Sequence, residues 1–315
     1  MCPGTGRTSP LPRRWTPTRP PNSSPSARSD AGPRRLSPEA PRGPGLAPRI
    51  IPPVPLLQVS NLQKSYEGRA VVQGVSFHVE PGEIVGLLGR NGAGKTTSFR
   101  MTIGMIEPDA GSVLFDGRDV SALPMYQRAR LGMGYLSQEP SVFQRLTCQQ
   151  NLLAILETLP MSRAARRARA AELLDQFHLT HKAQHAARTC SGGERRKLEI
   201  ARAMVTNPRL ILLDEPFSGV DPIAVEDLQK EIRRLAASGI ACLITDHNVQ
   251  QTLRVCDRAY IIDEGKKFAE GSPRQLINDE RVRRVYLGSL FRGDEFDDLP
   301  PDPAGAPGPS SAFTA

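Results

Sequence analysis

The chain has 315 residues, 39% of them hydrophobic, enough for a large core in one or two domains. No apolar run approaches the roughly 20 residues of a spanning helix, and none follows the N-terminal arginines as a secretory signal requires, which speaks against an embedded or exported chain. The net charge of +8 is concentrated in residues 1–55, which carry nine Arg, no Lys and two acidic residues, so the rest is close to neutral and no nucleic-acid partner is expected.

Fifteen of the 29 prolines also fall within residues 1–55, among Ser, Gly and Arg. Such a segment cannot bury enough apolar area to offset its ordering entropy, so residues 1–54 are expected to be a disordered extension. It reads either as an arm for acidic lipid or nucleic acid or as a dispensable addition. The five cysteines are odd in number, scattered and without a CxxC pair, which points to reduced thiols.

From Leu56 the pattern becomes that of a folded domain. Residues 57–59 and 71–79 predict strands; Val75, Phe77 and Val79 alternate with Ser76, His78 and Glu80, which places His78 outward and inert. Tyr66, in the turn between them, is either a strand-edge aromatic or a platform for a base. The apolar run 84–88 then leads into GRNGAGKTT at 89–97. Gly, four residues, then Gly-Lys-Thr, between a strand and a helix, is the phosphate-binding loop of nucleoside triphosphatases. Gly89, Gly92 and Gly94 allow a concave nest of N–H groups spanning Arg90, Asn91 and Ala93. Lys95 reaches the β- and γ-phosphates, and Thr96 offers a hydroxyl to Mg2+. A helix terminus alone contributes about 0.3–1 kcal/mol, against about 8 kcal/mol for micromolar binding; nest, lysine and metal must act together.

Beyond the loop helix come a short strand between turns and another apolar strand that ends just before Gln138. Residues 147–187 predict helix, with Ser162 as a cap, Leu173, Leu174 and Phe177 as an apolar stripe, and the arginines of 163–169 as a solvated face. His178, His181 and His185 lack a completing cysteine and are not read as a zinc site. CSGGE at 190–194 opens a helix: Ser191, Gly192 and Gly193 make a second anion-facing terminus, which one nucleotide does not need. LILLDE at 210–215 reads as a buried parallel strand that delivers Asp214 and Glu215 to the ligand edge of the sheet, one suited to magnesium and the other to a base. Asp221-Pro222 starts a helix with Ile223, Leu228, Ile232 and Leu235 as its apolar set and Gly239 at its stop. A last buried strand, 240–245, ends in Asp246-His247-Asn248, where His247 could meet a γ-phosphate. The fold is expected to end near Phe291, with an acidic, disordered tail over 293–315.

Tyr66, GRNGAGKTT, Gln138, CSGGE, LILLDE, SGVD and His247 stand in the order of ABC-transporter ATPase subunits, a resemblance that covers about residues 56–291. It implies an α/β P-loop NTPase fold over residues 55–292: a mostly parallel core sheet, an antiparallel β subdomain and a helical subdomain at about 140–195. It further implies ATP and Mg2+ as ligands and a head-to-tail homodimer in which Ser191–Gly193 and Glu194 of one copy close over the ATP of the other. Tyr66 would stack the adenine. Gly89, Arg90, Asn91, Gly92, Ala93, Gly94, Lys95, Thr96 and Thr97 would hold phosphate, Thr96, Gln138 and Asp214 the metal. Glu215 would polarise water, His247 contact the γ-phosphate, and Asp221 communicate across the dimer. Transmembrane permease subunits would anchor the protein peripherally on the cytoplasmic face of the inner membrane. Within the family, YEGRAVVQGVSF, GYLSQEPSVFQRLT, DEPFSGVDPIAV, ITDHNVQQTL and RVYLGSLF look most like the ATPases of lipopolysaccharide exporters, with branched-chain amino acid importers as the rival. Cys190, where leucine is usual, is expected to alter packing and leave the chemistry intact, whereas Gln144, where exporters often have arginine, bears on affinity for the permease.

Overall fold

The computed structural model describes residues 54–287. The expected extension, Val54 apart, the expected tail and Phe291 lie outside the described residues.

Among the described residues, ten strands form two sheets. β1 (Leu57–Tyr66), β2 (Arg69–Val79), β4 (Ala110–Phe115) and β5 (Arg118–Asp119) pair antiparallel in the order β2-β1-β4-β5. The second sheet contains β3 (Ile84–Gly89), β6 (Met133–Leu136), β7 (Leu210–Asp214), β8 (Ala241–Thr245), β9 (Arg258–Asp263) and β10 (Lys266–Gly271), ordered β10-β9-β3-β8-β7-β6. All its neighbours run parallel except the edge strand β10. The continuous apolar runs of β3, β7 and β8 suit this position, because a parallel strand covered on both faces has no solvent side on which to place polar residues.

Alternate residues of those strands serve two different cores. Val85, Leu87, Leu210, Leu212 and Leu243 join Phe99, Met101 and Ile103 of α1 (Lys95–Ile103) and the inner face of the antiparallel sheet. Ile84, Ile211, Leu213, Cys242 and Ile244 join the opposite core. That core also takes in α3 (Cys148–Leu156), α4 (Arg163–Gln176), α5 (Gly192–Ala203) and α6 (Pro222–Ala237). Between α1 and β6, α2 (Met125–Arg130) carries Arg128, which is fully buried. Its guanidinium donates to the Met101 and Thr102 carbonyls and closes the C-terminal end of α1.

Two sequence expectations change. Ile223 is 79% exposed, and the buried stripe of α6 is Val225, Leu228, Ile232 and Leu235. At about 100° per residue, Ile223 lies about 140° from Leu228, off the apolar face. His78 points away from Phe77 but is half-buried, its Nδ1 3.1 Å from the Tyr260 hydroxyl. Burial, then the Arg258 charge, hold its pKa below the usual imidazole range. Near its end the outer face of β2 is thus partly covered at His78 by Tyr260 of β9, where a solvated position was expected.

Candidate functional site at the strand ends

The parallel strands β3, β6, β7 and β8 deliver their C-terminal ends to one edge, where ligands bind in such sheets. At the end of β3 the chain turns through residues 89–94 into α1. Gly94 has φ 98°, and a Cβ there would lie 2.7 Å from the Val71 carbonyl oxygen; one on Gly89 would lie 2.2 Å from that of Ile262. Only glycine fits either place. Lys95 is buried, with its ammonium donating to the Gly89 and Arg90 carbonyls at 2.7 and 2.9 Å. Desolvation lowers its pKa, and the charges of Glu215 and Asp246 oppose that shift. Thr96 and Thr97 follow, half-buried, in the first turn of α1, which packs against β7.

The ends of β6, β7 and β8 bring three candidate residues together. The Gln138 amide donates to Glu215 Oε2 at 2.8 Å, and His247 Nδ1 lies 3.2 Å from the same oxygen. Glu215 itself has φ 45°, uncommon for a side-chain-bearing residue, and its N–H bonds to the Thr245 carbonyl at 2.7 Å. Asp214 is 2% exposed, and its carboxylate's hydrogen-bond partner among the described residues is the Tyr135 hydroxyl at 3.4 Å. Burial pushes its pKa up, as it does that of Asp246, whose carboxylate accepts from the Phe217 and Asn248 amides. A buried carboxylate so thinly satisfied, near a threonine-bearing helix start, has the chemistry of a hard-cation ligand.

Beside the loop lies a cleft of about 970 Å³ walled by Arg69–Val71, Gln73, residues 90–93 and Asp263–Glu264. Tyr66 pairs with Arg69 at its rim; the residue is 44% exposed, with the Lys64 ammonium 5.8 Å from its ring centroid. An exposed aromatic at a polar cleft has a face free for a planar ligand.

The second anion-facing terminus stands apart. Ser191 caps α5 with its Oγ accepting from Glu194 N at 3.1 Å, while the Glu194 carboxylate accepts from Ser191 N at 2.8 Å, a complete capping box. Burial works against the charge on Glu194, but the Ser191 amide and His181 hold its pKa below the usual range. Ser191 and Gly192 are exposed, and a Cβ on Gly193 would meet the Ala224 methyl at 2.7 Å, so this turn packs beside the Asp221 cap of α6. Among the described residues no hydrogen bond or ion pair joins residues 191–194 to residues 89–97.

Arg196 escaped the sequence reading. Its buried guanidinium donates to the carbonyls of Ser137, Asp214, Glu215 and Pro216 and to the Glu199 carboxylate, fastening α5 to both strand ends. The one hint in the sequence is Arg196 and Glu199 at i, i+3, which any solvated helix face also shows.

A family model described as ABC transporter matches residues 72–218. The lipopolysaccharide export system ATP-binding protein LptB of Acidithiobacillus ferridurans is 53% identical over 237 residues, 75% of this chain and 98% of that protein. The chain belongs to the ABC transporter ATP-binding family. The LptB of Escherichia coli K12 is 52% identical to this ABC ATPase, again over 75% of the chain and 98% of its own length. A crystallised ATP-binding cassette of an ABC transporter, in its ADP conformation, superposes with a TM-score of 0.68 at 28% identity, over 75% of this ATPase and 99% of the cassette. The α/β fold of this ABC ATPase is therefore that of the family. Among the described residues no helix is long and apolar enough to cross a membrane.

Proposed function

We propose that this ABC ATPase powers lipopolysaccharide export from the cytoplasmic face of the inner membrane, as a dimer that closes on ATP and moves permease subunits. The observation that carries the dimer is the separation of its two anion-facing termini: Ser191 and Gly192 are exposed, and among the described residues no hydrogen bond or ion pair joins residues 191–194 to residues 89–97 of their own chain. A second copy, turned head to tail, gives that terminus a phosphate. Two relatives named for lipopolysaccharide export support that cargo over amino acid import. Phe143, 47% exposed beside Gln144 and under the Arg202 guanidinium at 4.8 Å, offers an aromatic contact for a permease.

In this reading Tyr66 stacks the adenine and the residue 89–94 amides surround the β- and γ-phosphates. Lys95, already dehydrated, exchanges its loop carbonyls for phosphate oxygens. Thr96, Asp214 and Gln138 would hold Mg2+, which when bound neutralises phosphate charge. Glu215 orients and polarises the attacking water once Gln138 and His247 release its Oε2, and His247 turns to the γ-phosphate. Arg196 keeps the Glu215 backbone in its left-handed conformation throughout. Asp221, beside the Ser191–Glu194 signature turn, carries the state of one half-site to the other.

Glu215→Gln tests this. The variant is expected to bind ATP, to lose turnover by about 10²-fold or more, and to accumulate as a dimer in size-exclusion chromatography with ATP and magnesium. Undiminished hydrolysis would remove Glu215 from its role, and a monomer would remove the paired half-sites.

A further inference from the structure

Cys148 and Cys190 stand 42 residues apart in sequence, yet their sulfurs are 3.5 Å apart. Both are buried, Cys148 completely and Cys190 with 5% of its surface exposed. Cys148 is the first residue of α3 and is firmly held: Thr147 and Gln150 form a capping box around it, and its N–H bonds to the His185 carbonyl at 3.0 Å. Cys190 sits in extended backbone between the short turn Ala187–Thr189 and Ser191, the cap of α5. One end of the thiol pair is therefore anchored, and the other is joined directly to the signature turn.

We propose that Cys148 and Cys190 form a reversible, hydroperoxide-sensitive thiol pair whose disulfide displaces Ser191 and slows ATP turnover. A disulfide needs its sulfurs about 2 Å apart, so the pair must close by about 1.5 Å. Cys148 is part of a regular helix, whereas Cys190 lies in a short connector held by longer bonds, from its N–H to the Ala187 carbonyl at 3.2 Å and from Arg195 to its own carbonyl at 3.3 Å, so Cys190 makes most of that movement and Ser191 follows it. The effect on turnover rests on the phosphate-facing role proposed above for Ser191; the disulfide itself does not.

Burial, reinforced by the contact with Cys190, pushes the Cys148 thiol up to about 12, so it stays protonated at neutral pH. Oxidation therefore begins at Cys190, the residue of the pair that is not completely buried. Its sulfur attacks one oxygen of the hydroperoxide, the O–O bond breaks, and water or an alcohol leaves with the thiol proton, giving a sulfenic acid. Cys148 Sγ then attacks Cys190 Sγ: the S–S bond forms, the S–O bond breaks, and the hydroxyl leaves as water with the Cys148 proton. Two thiols are oxidised by two electrons and one hydroperoxide is reduced. A small dithiol reverses the bond by exchange.

The test treats the full chain with hydrogen peroxide, then maps peptides by mass spectrometry without reduction while ATP turnover is followed. A Cys148–Cys190 linked peptide lighter by two hydrogens is expected, with turnover falling about 10- to 100-fold and returning with dithiothreitol. Cys148→Ala, or Cys148→Ser should the alanine variant misfold, is expected to give no linked peptide and no peroxide sensitivity. Absence of the linked peptide when surface methionines are already oxidised overturns the pair. A linked peptide with undiminished turnover, or equal inhibition of the Cys148 variant, overturns the switch. Lack of turnover in the untreated chain would count against the ATPase reading, and the linked peptide would still decide the pair.

Discussion

The strand-end group and the signature turn both place a helix start where an anion could sit, yet they are satisfied in opposite ways. At Gly89 and Gly94 the backbone is fixed by contacts that leave no room for a side chain, and the charges gathered there are poorly solvated: Lys95 is lowered by burial, Asp214 and Asp246 are raised by it. That region is stabilised when a ligand of matching charge arrives. The signature turn is already closed on itself by the Ser191–Glu194 capping box and is exposed. It gains from a phosphate only if another molecule presents one. In the proposed function one region binds, and the other recognises that binding has happened.

The sharpest way to break the comparison is at Gly94. Gly94→Ala puts a methyl 2.7 Å from the Val71 carbonyl at φ 98°, so the loop must open or the strand must move. Loss of ATP binding is expected, with a stability cost of about 1–3 kcal/mol, read by nucleotide fluorescence titration and thermal melting. Retained affinity would mean that the nest is not set by this backbone.

Ser191→Ala is milder and separates the regions. Losing the cap costs about 1 kcal/mol, a small melting shift, while ATP affinity of the isolated chain stays near wild type because Ser191 does not touch residues 89–97. Turnover is expected to fall about 10²-fold, the scale for removing one donor aimed at developing charge, together with ATP-dependent dimerisation. Weakened binding by the isolated chain would contradict the two-region picture.

The division is visible in the sequence to unequal depth. Residues 89–97 and the apolar runs ending at Asp214 and Asp246 were legible because their local pattern is their function: glycines where only glycine fits, and carboxylates where a fully buried strand emerges. Helix caps at Ser162, Ser191 and Asp221 were legible for the same reason, and each side chain accepts the expected backbone bond. What could not be read depends on contacts between distant segments. Arg128 and Arg196 look like solvated charges until the carbonyls they bind are brought to them by other segments of the chain. Arg166 and Arg169 likewise turn from the expected solvated face to bond with the Leu159 carbonyl and the Asn207 side chain. Cys190 was legible as an unusual residue, but its partner lies across a helical hairpin. Ile223 was misassigned because a cap and proline mark where a helix begins and not which way it is rotated.

Asp246 offers the finest test of the charge stored at the strand ends. It is fully buried, and that burial raises its folded pKa despite two backbone N–H bonds and the neighbouring His247. A carboxyl raised on folding binds its proton more tightly in the native state, so stability is highest below the unfolded value, near 3.8, and falls as pH rises through the raised folded value. Above that folded value the native chain carries the penalty in full. The Phe217 and Asn248 amides bond to different oxygens of Asp246, so Asp246→Asn keeps an acceptor for one of them, a loss that does not vary with pH, and has no charge to desolvate. Its melting temperature relative to wild type should therefore rise with pH across that window and level off above it, by about 2–4 °C if the penalty is near 1 kcal/mol. A difference that shrinks with rising pH would mean that the hydrogen bonds outweigh burial. The strand-end group would then hold no unspent charge for a ligand to relieve, and its contrast with the self-satisfied signature turn would disappear.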